Sequence, residues 1–169
     1  MMHTLRLLRH GKSSWDDASL ADHERPLSPR GVRDAKRLGQ HLGTLTAAPD
    51  LVLCSSAVRT QQTLGLMAAS LGEAVVRIEE DLYGASLDDL LDRLHRLPEA
   101  TGSALVIGHN PGLQDLVLYL SAAGPLLDAV SAKFPTCALA TLALGDRTWS
   151  GVRQGDAELV GYTIPRDLR

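Results

Sequence analysis

The feature that most constrains this chain is an alternation. Four short apolar runs, residues 4–8, 51–54, 75–78 and 104–107, are each followed by a segment whose apolar residues recur at helical spacing. Val32, Ala35, Leu38 and Leu42 form one stripe behind Ser28-Pro29, a capping residue with a proline at the first turn. Leu64, Met67, Ala68 and Leu71 form a second. Leu87, Leu90, Leu91, Leu94 and Leu97 form a third, opened by Ser86-x-x-Asp89 in capping-box order. Leu113, Leu116, Val117 and Leu120 form a fourth, behind Asn110-Pro111. Such alternation predicts an α/β fold: a three-layer sandwich with a mostly parallel sheet and helices on both faces. The tail differs. Residues 137–144, 148–152 and 158–163 read as strands, with Gly145-Asp146-Arg147 as the hairpin turn between the first two, which adds an antiparallel C-terminal edge. With 169 residues and no repeat or linker, residues 1–169 are expected to form one domain.

Charge and composition narrow the function. A net charge of −3 argues against a nucleic-acid partner, since phosphate-backbone binders are usually basic, and 4% aromatics leave little for base stacking. Two cysteines, Cys54 and Cys137, cannot staple a chain this long. No run is long and apolar enough to span a membrane, and Arg6 and Arg9 interrupt the N-terminal apolar stretch where a signal peptide would need continuity. The expectation is a cytoplasmic, monomeric enzyme or binding domain.

Open α/β sheets bind ligands at the carboxyl ends of their strands. Here the first strand ends in Arg9-His10-Gly11, the second in "CSSAVRT" with Arg59 in the next helical turn, and the fourth in "GHNPG" with His109 before a helix start. Two arginines and two histidines, far apart in sequence, should meet at one rim. Arginine offers a planar fork of donors matched to phosphoryl oxygens, and helix N-termini favour anions. A histidine among arginines keeps its neutral form and its lone pair, and neutral imidazole is a competent nucleophile. One histidine can attack phosphorus in line while the other, protonated, steadies the equatorial oxygens.

The ordered set "LRHG", "SSAVRTQQT" and "VIGHNPG" resembles the histidine phosphatase superfamily. "RHGKSSW", "ERPLSPRG", "DLYGAS" and "KFPTCALA" resemble its short phosphohistidine-phosphatase branch, the SixA type, from about residue 4 to residue 144. The resemblance implies His10 as nucleophile, with Arg9, Arg59 and His109 completing a phosphate pocket and Arg25 leaning toward it. Two cysteines and scattered histidines fit no zinc spacing, so no metal and no cofactor is expected. Lys12 and Asn110 border the same rim and are candidate substrate contacts.

Larger relatives in the superfamily place an acid after the third strand to protonate a departing alcohol. Glu80, four residues before Gly84, has a similar spacing and is the candidate acid here; Asp16, Asp17 and Asp81 are further carboxylates near the rim. An alkoxide leaves badly without a proton donor, whereas imidazole, with a pKa of about 6.5, leaves phosphorus readily. The expected substrate is therefore phosphohistidine displayed on another protein, such as a phosphorelay histidine domain or a phosphotransfer carrier. The alternatives are a small-metabolite phosphomonoesterase or mutase, and a non-catalytic phosphoprotein-binding domain. Rival motifs fail: Cys54 and Arg59 give C-x4-R, one residue short of the thiol-phosphatase loop, and no G-x-S-x-G, Walker A or G-x-G-x-x-G sequence is present.

Overall fold

A computed structural model describes residues 1–45 and 47–168. In chain order the main elements are β1 (His3–Arg9), α1 (Pro29–Thr44), β2 (Leu51–Ser55), α2 (Val58–Met67), β3 (Val75–Glu79), α3 (Leu87–His95), β4 (Ser103–Gly108), α4 (Gly112–Leu120), α5 (Leu127–Ala132), β5 (Leu139–Gly145) and β6 (Glu158–Thr163). They form one six-stranded sheet in the order β3-β2-β4-β1-β5-β6. The first four strands of that order run parallel, and β5 and β6 add the antiparallel edge.

Because successive side chains of a strand point to opposite faces, the sheet splits its apolar residues between two cores. Leu5, Leu7, Leu53 and Val106 face α3, α4 and α5, where Leu90, Leu94, Leu113 and Leu116 are buried. Leu8, Val52, Cys54 and Ile107 face α1 and α2, meeting Ala35, Leu38, Leu42 and Met67. The helix starts follow the chemistry expected of them. The Ser28 side chain accepts the Gly31 N–H, and Ser86 and Asp89 form a reciprocal capping box. The second helix is shorter than its apolar stripe, ending at Met67 and tightening into a 3-10 turn that leaves Ala68 exposed.

The tail departs from the expectation. Residues 148–152 are not a strand, and Gly145-Asp146-Arg147 is not a tight hairpin turn, because β5 pairs instead with β6 across a long connection. Trp149 explains the difference. It is fully buried, its indole N–H donates to Thr101 O at 2.7 Å, and its backbone N–H donates to the Glu99 carboxylate at 3.0 Å. Burial of that ring under the amino end of the sheet overrides the local strand propensity of Thr, Trp and Val.

Candidate active site

The carboxyl ends of β1, β2 and β4 open into a cavity of about 380 Å³ lined by Arg9, His10, Arg25, Arg59 and His109, with Lys12, Ser13 and Asn110 among the other lining residues. The β1–β4 pairing sets Arg9 beside Gly108, one residue short of His109. The His10 and His109 ring centroids are consequently 5.1 Å apart.

The loop leaving β1 turns on close backbone approaches. Gly31 touches Lys12 so tightly that a Cβ there would lie 2.2 Å from the Lys12 carbonyl oxygen. The Gly11 N–H is donated to Thr63 Oγ1 at 3.0 Å, whose hydroxyl in turn donates to Arg59 O, tying the loop to α2. This fixes the His10 ring. Its Nδ1–H donates to Gly11 O at 2.7 Å, which places the lone pair on Nε2, where Arg59 Nε–H points at 3.3 Å. Burial, reinforced by the neighbouring His109, Arg59 and Arg9, pushes the imidazole pKa down to about 3 despite the Gly11 hydrogen bond. At neutral pH His10 is an uncharged ring whose Nε2 carries the lone pair.

His109 differs from the expected imidazolium. Burial first, then Arg59, lowers its pKa to about 4. It shares a 2.7 Å hydrogen bond with Ser55 through Nε2, and Ser55 Oγ also accepts the Ala57 N–H at 3.4 Å. The other ring nitrogen, Nδ1, has no protein partner among the described residues. At neutral pH His109 is an uncharged ring.

The guanidiniums are held individually. Arg9 Nη1 donates to Phe134 O at 3.0 Å while its buried Nε has no partner among the described residues. Arg59 donates to Asp22 twice, to the backbone oxygen at 2.7 Å and to Oδ2 at 3.1 Å. Arg25 does lean into the cavity: it pairs with Asp22 Oδ1 at 2.9 Å, donates to Ser14 O and Ser13 Oγ, and stacks over the exposed Trp15 ring, 3.2 Å from its centroid. Asn110 bonds to Phe134 O and Gln114, and its buried Oδ1 has no partner among the described residues.

Glu80 is not brought to this cavity. It is exposed at the start of the 3-10 turn after β3, while its neighbour Glu79 is paired with Arg93 at 2.7 Å. Asp16, Asp17 and Asp81 do not line it either. The carboxylate that does is Asp22, which the sequence reading missed, together with Tyr83, whose hydroxyl donates to Asp22 Oδ2 at 2.6 Å. The Tyr83 hydrogen bond, aided by Arg59 and Arg25, holds the Asp22 pKa down to about 2. Tyr83 also sets its ring edge-on to His109 and His23, and His23 bonds to Ser56 Oγ at 2.8 Å. A signal for Asp22 was visible, since Asp22-x-x-Arg25 is ion-pair spacing at a helical turn. Cys54 is fully buried in the apolar core outside the cavity, and burial pushes its thiol up to about 12, which ends the thiol-phosphatase reading.

A buried, uncharged histidine facing a ring of guanidiniums at strand ends defines a class of phosphate-handling site, and the comparisons agree. The profile of the histidine phosphatase superfamily (branch 1) matches residues 5–102, and the chain belongs to that superfamily. Within it, the fold is of the SixA type. The structure of a proposed phosphohistidine phosphatase SixA from Nakamurella multipartitia superposes with a TM-score of 0.86 at 31% identity, covering 98% of this chain and 97% of that one. A protein histidine phosphatase SixA solved with tungstate gives 0.79 at 24% identity, covering 98% and 99%, a likeness of fold. An uncharacterized protein of Mycobacterium tuberculosis is 37% identical over 163 residues, 94% of this chain and all of that protein. Among the described residues no helix is long and apolar enough to cross a membrane.

Proposed function

We propose that this phosphatase hydrolyses phosphohistidine carried on another protein, through a covalent phosphoryl intermediate on His10. The observation that carries the reading is the His10 ring itself, with Nδ1–H anchored to Gly11 O, Nε2 free of a proton, and Arg59, Arg9, Arg25 and His109 around it. His10 Nε2 attacks phosphorus in line as the P–N bond to the substrate imidazole breaks. The departing imidazole carries off the bond's electron pair and is protonated from solvent. Arg59, held at Asp22 with its Nε–H facing the His10 nitrogen, donates to the phosphoryl group with Arg9 and His109, and together they take up the negative charge that develops. Water then attacks the phosphorus, the N–P bond to His10 breaks, and phosphate leaves.

The metabolite-phosphatase alternative needs a proton donor for an alkoxide. Asp22, the carboxylate at the cavity, is held ionised at a pKa of about 2, and Glu80 lies outside. That chemistry favours a leaving group needing no strong acid. Rapid quenching of the enzyme during turnover of radiolabelled phosphohistidine tests the reading. The expected label survives alkali, is lost in acid, maps to His10, and vanishes in His10→Ala along with turnover, a fall of about 10⁴-fold or more. Turnover unchanged in His10→Ala overturns the mechanism. Faster turnover of alcohol phosphates than of phosphohistidine favours the metabolite enzyme, and phosphoprotein binding with no hydrolysis leaves a binding domain.

A further inference from the structure

A second, larger cavity of about 820 Å³ lies beside the first, and Thr136 lines both. One wall is the face of α1 bearing Arg30, Arg33 and Arg37, which the three- and four-residue spacing puts on one side of the helix. The opposite wall carries Lys133 and Arg166. All five side chains are exposed. The groove thus gathers five of the 17 lysines and arginines of a chain whose net charge is −3. The one carboxylate among its described lining residues, Asp34, is largely buried and sits 3.6 Å from Arg30. Among the described residues, Arg33, Arg37, Lys133 and Arg166 enter no ion pair.

Fold stability gives no reason for this concentration, since unpaired like charges on one face repel. Their arrangement suits a counter-surface of carboxylates. Among the described residues no aromatic side chain lines the groove, so bases would find no stacking platform. The wall between the two cavities is the 133–136 segment, whose Phe134 oxygen holds Arg9 in the phosphate site. The shared Thr136 puts the second cavity within reach of residues that flank a phosphohistidine seated in the first.

Resting on the function proposed above, we infer that the α1 groove is the docking surface for acidic residues flanking the phosphohistidine of the protein substrate. Opposite charge steers the encounter and fixes its register, an effect felt in KM and on-rate and weakened by salt. The test uses two peptides phosphorylated on a central histidine with phosphoramidate, one flanked by glutamates on both sides and one by glutamines at the same positions. N-phosphoimidazole serves as the substrate without flanks. At low ionic strength the wild-type enzyme should show about tenfold higher kcat/KM on the glutamate peptide, carried by KM and erased by added salt. In a variant combining R33S, R37S and R166S that preference should vanish while phosphoimidazole turnover stays unchanged. Equal turnover of the two peptides by the wild type, or a preference that survives in the variant, overturns the docking. A variant that loses phosphoimidazole turnover as well overturns it too, placing these arginines in the fold or the chemistry. A wild-type enzyme inert toward phosphoimidazole and both peptides overturns instead the function on which the inference stands.

Discussion

The two cationic cavities are built on opposite plans. In the first, each guanidinium is buried or half-buried and tethered: Arg59 to Asp22, Arg9 to Phe134 O, Arg25 to Asp22, Ser13 and Ser14. In the second, the arginines of α1 and Arg166 project from exposed positions, and only Arg30 has an acidic partner among the described residues. Tethered donors cost no reorganisation when charge develops on a phosphoryl group, so they suit chemistry. Free ones suit attraction at a distance, where geometry matters little. The same residue type thus has two functions, separated by what holds it.

Breaking a tether should show this most strongly. Arg59→Ala removes the donor nearest His10 Nε2, and kcat on phosphoimidazole should fall about 10²- to 10³-fold by steady-state kinetics. Asp22→Ala leaves the guanidiniums in place but frees Arg59 and Arg25, and should lower kcat/KM about tenfold, with Asn at the same position restoring part of it. Glu80→Gln is the matched control, expected within about twofold of wild type. The smallest effect is on stability. Unfolded histidines titrate near 6.5, whereas folding holds His10 at about 3 and His109 at about 4. Below pH 6.5 the unfolded chain takes up protons that the folded chain refuses, so the native state loses stability as pH falls toward 4 and then 3. Thermal melts between pH 7 and 4.5 should fall by several degrees more in the wild type than in the His10→Gln/His109→Gln variant.

The comparison also shows what a sequence can disclose. Strands buried on both faces and helices with apolar stripes are written locally, so β1, β2, β4 and the starts of α1 and α3 were legible from period and caps. Arg9, His10, Arg59 and His109 were legible because topology alone carries strand ends to one rim. Asp22 and Tyr83 were not, because they arrive from irregular segments whose path is set by Gly11–Gly31 contact and by the turn after β3. Glu80 misled for the same reason: spacing from Gly84 gives sequence distance, not direction. Residues 148–152 have strand-like composition, and only the buried place of Trp149 reveals why they form a loop.

Trp149 and Trp15 are the chain's two tryptophans, and they sit in opposite circumstances. The first is sealed in the core, while the second lies 72% exposed beneath the Arg25 guanidinium at the mouth of the phosphate cavity. Their fluorescence is accordingly two separate signals: a blue-shifted emission from the sealed ring that lasts as long as the fold does, and a red-shifted one from the exposed ring stacked on Arg25 at the cavity mouth. The molecule thus carries one optical reporter at the rim of its phosphate cavity and another in its core.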